Sequence, residues 1–460
     1  MDSLNKEILR LSIPTILSNI TIPLLGICDT AISGHLGSEL FLSAIAVGSV
    51  MLNVVFWIFG FLRGGTTGLT ANALGAGSEQ DIAKVFYRGL IIAFGAGALL
   101  IIFQWPIFRA LWWIAGAGPE ILEYVKDYFV IRVWGAPALL AIIAISGWFV
   151  GMQNTFFPML IAIVTNVINI AGSCILVYAF DAGFNGVAVG TLISNWAGLL
   201  VAGGCILWFR KGDMIKCSWA NLLKGEWLRY FSVNGNLFLR SLFIIGVTMG
   251  VTAFGGRIST LTLAINVIVM QFFQFFSFFM DGFAYSGEAM VGLRAGQGDL
   301  KRLRMCVRRL LQWTLATGLI FSLGYFFGLE FITGLLTDSG TVVEGVVQLT
   351  LWISLIPILS CWAFIFDGFY IGITDTFRMM FSTLISAFVF FGIIFWGLRE
   401  SPDISPVAAN GLIWTGFLSY LFLRGIYLAA MWPRSLTARF NKLFGNFSKP
   451  DSNAAAETSI

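Results

Sequence analysis

Long apolar stretches alternate along this chain with short polar or basic connections. Twelve of the apolar stretches reach or exceed the roughly 20 residues that an α-helix needs to cross a bilayer. They lie near residues 8–33, 41–71, 89–115, 128–150, 157–180, 185–209, 236–255, 261–292, 309–328, 346–371, 379–398 and 407–432. This pattern predicts an all-α membrane protein with about twelve transmembrane helices.

Two sequence motifs recur in the same order in each half of the chain. Gly75-Ala76-Gly77 matches Gly296-Gln297-Gly298, and Gly151 to Thr155 matches Gly372 to Thr376, both at the same offset in residue number. A constant offset, with six stretches in each half, predicts two pseudo-symmetric lobes that face each other, as in transporters that work by alternating access. We place the lobes at 1–209 and 236–433, with a basic linker at 210–235 and a polar tail at 434–460.

Composition and charge agree with a membrane location. The chain is 58% hydrophobic and 11% charged, whereas soluble domains carry about 25% charged residues. Most of the 28 Lys and Arg residues fall on one side of the predicted membrane, and we place Arg63 within a span. The exceptions on the other side are Arg109, Lys126, Arg132, Arg257 and Arg399. By the positive-inside rule both termini should be cytoplasmic, in a multi-pass protein of the inner (plasma) membrane.

Several function classes find no support in the sequence. The chain has one histidine, six cysteines in no metal-binding pattern, and no Walker A motif, so we expect no enzyme, no metal and no cofactor. The net charge of +4 follows from the loops and does not argue for nucleic acid. We expect energy from an ion gradient or from substrate flow, organic small molecules as substrates, and a monomer in the lipid bilayer without an obligate protein partner.

Asp29 is an acid inside the first apolar stretch. A charged acid within a membrane costs on the order of 3 kcal/mol, and it can be neutralised by taking up one proton. At helical spacing, Asp29 shares a stripe of mostly small or polar residues with Thr15, Asn19 and Ser33. Asp29 lies about 28 Å along the helix from the start of the span, which places it toward the outer face. Pro23 favours a bend just before it. The alternative is an acid that a neighbouring helix satisfies for packing alone.

Polar residues on the fifth and sixth spans form a second candidate group. Asn166, Asn169 and Ser173 share one helix face, and Thr191 lies on the next span. They predict a polar cluster in the first lobe. The alternative is ordinary hydrogen bonding between helices, which contributes about 0.6 kcal/mol per contact.

The second half carries its own acids within predicted spans. Asp281 and Glu288 are spaced to share one helix face, and Asp367 lies on the tenth span. The repeat does not pair them with acids in the first half. They form either a cation or substrate site or internal ion pairs, with Arg63 or Arg294 as possible partners.

Phenylalanine is abundant, with 44 residues, and it is concentrated in the run 272–280. An aromatic surface would suit aromatic or cationic substrates. The alternative is that much of this run faces lipid or neighbouring helices.

Several motifs together resemble the DinF branch of the MATE (multidrug and toxic compound extrusion) transporter family. They are Pro23 to Gly26 leading into Asp29-Thr30-Ala31, the stretch Phe61 to Ala71, Met280 to Tyr285, and Asp367 to Gly372. The resemblance covers about residues 7–433. It implies twelve helices in two six-helix lobes that open as a V, and export of drugs, dyes and organic cations in exchange for H⁺ or Na⁺.

The resemblance also implies residue roles. Asp29 matches the usual coupling acid of that branch, and Asn169 and Thr191 match its polar partners. Many relatives carry a second acid where this chain has Ser173, and a hard cation prefers several oxygens with anionic charge. This departure favours a proton as the coupling ion and predicts a proton-coupled multidrug antiporter.

Three alternatives stay open. A Na⁺-coupled exporter of the same family differs only in the coupling ion. A lipid-linked oligosaccharide flippase would need a hydrophilic, often cationic cavity, and we expect few intramembrane Arg or Lys residues apart from Arg63. A non-transporting receptor or scaffold would need no buried acids.

Overall fold

The structure is a computed structural model that describes residues 3–34, 39–211, 222, 227–400 and 404–444. Within these ranges the regular secondary structure is entirely helical. Most of the predicted linker and the tail beyond residue 444 lie outside the described residues.

Within the described residues, the first half contains nine α-helices. They are α1 (Ser3–Gly34), α2 (Glu39–Ile58), α3 (Phe61–Gly75), α4 (Glu79–Ile102), α5 (Gln104–Ala115), α6 (Leu122–Val133), α7 (Ala136–Gly151), α8 (Phe156–Cys174) and α9 (Gly183–Phe209). A 3₁₀ turn, Pro119–Ile121, precedes α6, and a π-helical turn, Ile175–Ala179, extends α8.

The second half contains seven helices within the described ranges. They are α10 (Trp227–Ile258), α11 (Thr260–Gln297), α12 (Leu300–Leu336), α13 (Gly340–Val347), α14 (Thr350–Gly372), α15 (Thr376–Glu400) and α16 (Pro406–Phe444). Helical structure therefore extends into both segments where we placed lobe boundaries, and the boundaries themselves stay a prediction.

The number of membrane spans agrees with the sequence pattern. Among the described residues, ten helices are long and apolar enough to cross a membrane when α2 and α3 are counted together. Helices α6 and α7, which meet at a 50° bend, give an eleventh when the pair is counted as one span. The 32-residue α1 is long enough to be the twelfth. The predicted all-α fold with about twelve spans is confirmed.

The repeat is visible in the backbone of the turns. Gly77 and Gly298, which occupy equivalent positions in the two halves, both have positive φ angles, of 69° and 74°. Gln153 and Thr374, at the same offset, have φ angles of 62° and 58°, a conformation that non-glycine residues seldom adopt. Both turns of the repeat therefore have the same shape in the two halves.

Helix packing within the lobes repeats in the same way. A Cβ atom added to Gly147 on α7 would lie 2.4 Å from the carbonyl oxygen of Arg63 on α3. At the equivalent position of the second half, a Cβ atom on Gly368 of α14 would lie 2.3 Å from the carbonyl oxygen of Ala284 on α11. Both lobes thus bring a pair of helix backbones together through a glycine, which confirms two pseudo-symmetric lobes.

The two lobes meet along an interlobe seam in which α3 packs against α11 and the end of α14. A Cβ on Gly75 would lie 2.2 Å from the Leu293 carbonyl oxygen, and one on Gly296 would lie 2.3 Å from that of Asn72. The Asn72 side-chain amide also donates a 2.6 Å hydrogen bond to the carbonyl of Gly372. These contacts lie where α3 ends and α4 begins, which we call the basic end because the Lys- and Arg-rich connections lie there.

Helix α1 continues through both of its prolines. Pro14 cannot donate to the carbonyl of Arg10, one turn earlier. The hydroxyl of Thr155 donates to that carbonyl instead, at 3.3 Å, and ties the start of α1 to the turn before α8. The bend that we expect near Pro23 stays a prediction.

The seam predicts that its glycines cannot carry side chains. Gly68 on α3 leaves only 2.3 Å between an added Cβ and the Ile371 carbonyl oxygen across the seam, so Gly68→Ala should destabilise the protein by about 1–3 kcal/mol. Gly95 on α4 has no atom within 4 Å of an added Cβ, and Gly95→Ala should be neutral or slightly stabilising. Thermal unfolding of the purified variants compares them, and an equal melting temperature for both would contradict the close approach of the lobes.

Candidate functional site

A cavity of about 430 Å³ lies between the lobes, and we call it the charged cavity. Helices α1, α3, α10, α11, α14 and α16 all contribute side chains to its wall. Helix α11 supplies a stripe at helical spacing, comprising Gln274, Ser277, Phe278, Asp281, Tyr285 and Glu288. Asp281 and Glu288 therefore share one helix face and both line the cavity, as their spacing predicts.

Glu288 forms an ion pair across the lobe interface. Both oxygens of its carboxylate accept from the guanidinium of Arg63 on α3, at 2.8 and 3.1 Å. The Arg63 guanidinium also stacks on the ring of Tyr285, 3.4 Å from its centroid. Glu288 is 1% exposed, and a charge at that depth is tolerated when it is paired and hydrogen-bonded. The pair joins α3 of the first lobe to α11 of the second.

Asp367 on α14 is held by two arginines of its own lobe. One carboxylate oxygen contacts the guanidinium of Arg240 on α10 and, at 3.2 Å, that of Arg424 on α16. Arg424 also donates to the hydroxyl of Tyr420, one turn earlier on α16, at 3.0 Å. The second oxygen of Asp367 is buried without a hydrogen-bond partner among the described residues.

The expectation of few intramembrane basic residues was wrong. Arg240 lies near the middle of α10 and Arg424 near the middle of α16, so both are deep within spans. In the sequence Arg240 resembles a residue of the basic connection, because it follows a run of Lys and Arg residues. The apolar residues on both sides of it, from Leu237 to Leu239 and again from Leu242, are the signal of a membrane position.

Asp281 differs from the other two acids of the charged cavity. Among the described residues it has no ion-pair or hydrogen-bond partner, whereas Glu288 and Asp367 are each neutralised by arginine. The internal ion pairs weighed from the sequence thus account for two of the three acids. Asp281 is the acid with capacity left to receive a positively charged group.

The polar cluster in the first lobe forms in part as predicted. The side-chain amide of Asn169 on α8 donates to the hydroxyls of Thr191, at 3.0 Å, and of Ser194, at 3.3 Å, both on α9. The amide oxygen of Asn169 and the hydroxyl of Ser173 are buried and have no partner among the described residues. Two oxygens in this cluster are therefore available as hydrogen-bond acceptors. Ser194 is an addition that the sequence did not predict.

Asn166 has a different role from the one its helix face predicts. Its side-chain amide donates to the hydroxyl of Thr21 on α1 at 2.9 Å, and this bond ties α8 to α1 next to the cluster. Helix α1 packs against α8, and Pro23 of α1 is exposed. The side chain of Asp29 lies outside the part of the chain that the structure describes, so its place relative to the cluster stays a prediction.

The phenylalanines of the run 272–280 lie in three different environments. Phe273 and Phe278 line the charged cavity, Phe272 and Phe276 are buried in the core of the second lobe, and Phe275 is 48% exposed on the outer surface. Some of these residues therefore form the expected aromatic surface of the cavity, and others face lipid or neighbouring helices.

Comparisons with known proteins give matches that cover most of the chain. The family model described as MatE matches residues 14–175 and, separately, 237–396, which is one match in each half. DNA damage-inducible protein F of Escherichia coli is 33% identical over 442 residues, covering 94% of this chain and 93% of the relative. Protein DETOXIFICATION 44, chloroplastic, of Arabidopsis thaliana is 24% identical and covers 91% and 80%.

Solved structures share the fold. The Vibrio cholerae MATE transporter VcmN in the bent form has a TM-score of 0.83 at 19% identity, covering 96% of this chain and 99% of that one. A MOP superfamily transporter from Pyrococcus furiosus, for which a reverse polarity of the binding pocket has been noted, has a TM-score of 0.80 at 17% identity, covering 95% of this chain and 96% of that one.

The Arg63–Glu288 pair yields a prediction for stability. Arg63→Gln leaves a buried carboxylate without its cation and should cost about 3–5 kcal/mol, whereas the double change with Glu288→Gln should cost much less because no charge is stranded. Melting temperatures of the two variants measure the difference. The matched control is Lys126→Gln, which breaks a surface pair with Glu123 and should leave the melting temperature unchanged. A double variant less stable than Arg63→Gln would overturn this account.

Proposed function

Because the chain belongs to the MATE transporter family, we propose that it is a secondary active antiporter that exports organic compounds in exchange for protons. The observation that carries the proposal is the charged cavity between two pseudo-symmetric lobes that meet at the basic end. Such an arrangement suits alternating access, in which a central site is exposed to one side at a time. The family consists of transporters, so the chain is a membrane transporter and not an enzyme.

The basic end is the cytoplasmic end in this proposal. Helix α1 begins there and α16 ends there, so both termini are cytoplasmic, in the inner membrane. The glycine contacts of the interlobe seam lie at the same end, which corresponds to a state closed toward the cytoplasm. A single chain contains both lobes, and we expect it to act as a monomer.

Asp29 is the proton carrier in this proposal, with Asn169 and Thr191 as its partners. Support comes from α8, which packs against α1 and carries two buried oxygens without described partners, on Asn169 and Ser173. A protonated carboxyl has an O–H group that can donate to such an oxygen, whereas a carboxylate has none. A bound Na⁺ would require several oxygens with anionic charge, and the described part of this cluster contains only amides and hydroxyls.

Asp281 is the residue that we propose to receive the positive charge of a substrate. Glu288 and Asp367 are already paired with arginines. Of the three acids that we predicted for the second-lobe site, one is therefore left for this role. Phe273 and Phe278 line the same cavity, and aromatic rings attract both cations and flat apolar molecules.

The transport cycle follows from these assignments. Protonation of Asp29 from outside removes its charge, changes its hydrogen bonds and favours a bend of α1 near Pro23. Because Asn19 on the same helix lines the charged cavity, movement of α1 would change the cavity and release the substrate. The return step opens the interlobe seam and delivers the proton to the cytoplasm.

The charged cavity also favours a second candidate function. It contains Arg63, Arg240 and Arg424, and a cationic cavity is what a lipid-linked oligosaccharide flippase needs. Pairing of all three with acids leaves little net positive charge, so export of organic compounds remains our main proposal. Proteoliposome assays of ethidium efflux and of lipid-linked sugar translocation separate the two functions.

Replacing each acid by its amide should separate coupling from substrate binding. In proteoliposomes, Asp29→Asn should abolish dye transport driven by a pH gradient, because asparagine cannot carry the proton. Asp281→Asn should raise the KM for a cationic dye on the order of ten-fold while the number of protons exchanged per dye stays the same. Asp338→Asn, which changes an exposed acid, is the control and should behave like the wild type.

Two results would refute the coupling proposal. One is transport by Asp29→Asn that still dissipates the pH gradient with normal stoichiometry. The other is wild-type transport that responds to a Na⁺ gradient and not to a pH gradient.

A further inference from the structure

A second cavity, of about 520 Å³, lies at the basic end of the interlobe seam, and we call it the basic cavity. Helices α3 and α4 of the first lobe line one side, and α10, α11 and α16 of the second lobe line the other. Its volume falls within the range of roughly 300–1,000 Å³ that is usual for small-ligand sites. It shares no described lining residue with the charged cavity.

Positive charge dominates the described wall of the basic cavity. Lys84 and Arg88 come from α4, Arg229 from α10 and Arg439 from α16. Asp81 is the single carboxylate among the described lining residues, and it pairs with Lys84 at 2.9 Å. Three guanidinium groups from both lobes therefore surround one space, and an anion between them would attract groups of both lobes and favour the closed seam.

Two of the arginines are held in fixed positions. The Arg88 guanidinium donates to the Leu222 carbonyl oxygen at 3.1 Å and lies 4.8 Å from the ring centroid of Trp227, and Arg88 is 6% exposed. Arg439, 9% exposed, donates to the side-chain oxygen of Asn72 at 2.9 Å. Because these contacts fix the side chains in advance, a ligand loses little free energy in ordering them.

A buried tyrosine lies beside the same space. Tyr230 is 2% exposed and contributes to the wall of the basic cavity. Thr66 and Asn234 lie near its hydroxyl, yet among the described residues that hydroxyl makes no hydrogen bond of good geometry. The hydroxyl itself is enclosed beside Thr66 and Gly89, which do not line the cavity, so Tyr230 contributes its ring to the wall and not a donor.

We propose that the basic cavity binds a phosphate-bearing anion that bridges the two lobes. Guanidinium groups recognise phosphate oxygens through paired N–H donors. Basic pockets between helices at the cytoplasmic face are typical sites for anionic lipid headgroups, and a free phosphate group offers the same chemistry. A ligand that contacts α4 on one side and α10 and α16 on the other stabilises the closed seam.

The test measures binding by thermal unfolding, which does not depend on transport. Purified full-length protein is titrated with inorganic phosphate, with short-chain phosphatidic acid, and with short-chain phosphatidylcholine as the lipid without net charge. We expect the melting temperature to rise with at least one of the first two probes and not with phosphatidylcholine. A response to phosphatidic acid alone identifies a lipid headgroup site, and a response to both identifies a general phosphate site.

Paired variants locate the effect. Arg229→Gln with Arg439→Gln should weaken the apparent affinity at least on the order of ten-fold, because two charge-assisted contacts are lost. Arg304→Gln with Arg308→Gln removes the same charge from exposed positions near the basic end and should retain wild-type affinity. If the first variant does not fold, Arg229→Lys with Arg439→Lys keeps the charge, loses the guanidinium geometry, and should still bind more weakly. The proposal is overturned if the wild type responds to neither phosphate probe, or if the cavity and control variants respond equally.

Discussion

Close approach of helix backbones through glycine is the constraint on which the rest of this structure depends. Within each lobe, Gly147 and Gly368 let neighbouring helices touch at equivalent places, and Gly75 and Gly296 do the same between the lobes. Because lipid tails are as apolar as the side chains, the hydrophobic effect does not drive helices together, and such packing is a main source of stability. The same packing fixes the distance between α3 and α11, and that distance allows the Arg63 guanidinium to reach the carboxylate of Glu288 on α11.

The charged cavity follows a second constraint, which is that charges in a low-dielectric environment must be paired. Three arginines and three acids line one space, yet the pairing is uneven, because Arg240 and Arg424 share the carboxylate of Asp367. Asp281 is consequently the acid without an arginine partner among the described residues, and it is the one that we propose for substrate binding. The same constraint applies to the basic cavity, where described lining arginines from both lobes outnumber the one carboxylate. The two cavities thus differ in the balance of their described lining charges, which is even in the charged cavity and positive in the basic cavity.

The sequence predicted the fold well and the site only in part. The lengths of the apolar stretches predicted the spans. The constant offset predicted the repeat, because the shape of turns such as those at Gln153 and Thr374 depends on local residues that recur in both halves. The acids stood out because each lies within a predicted apolar span. The pairing of Asp367 was beyond prediction, because its partners lie on helices that are distant in the chain, and Arg240 resembles the basic connection before it.

The sequence by itself determined the membrane-spanning helices, their duplication and the set of acids that can carry chemistry. These properties follow from hydrophobicity and periodicity along one segment at a time. Only the tertiary structure decided which acids are neutralised, that Asn166 contacts α1, and that basic residues of both lobes surround one cavity. These properties depend on distances between segments, and such distances are set by how closely the helices pack.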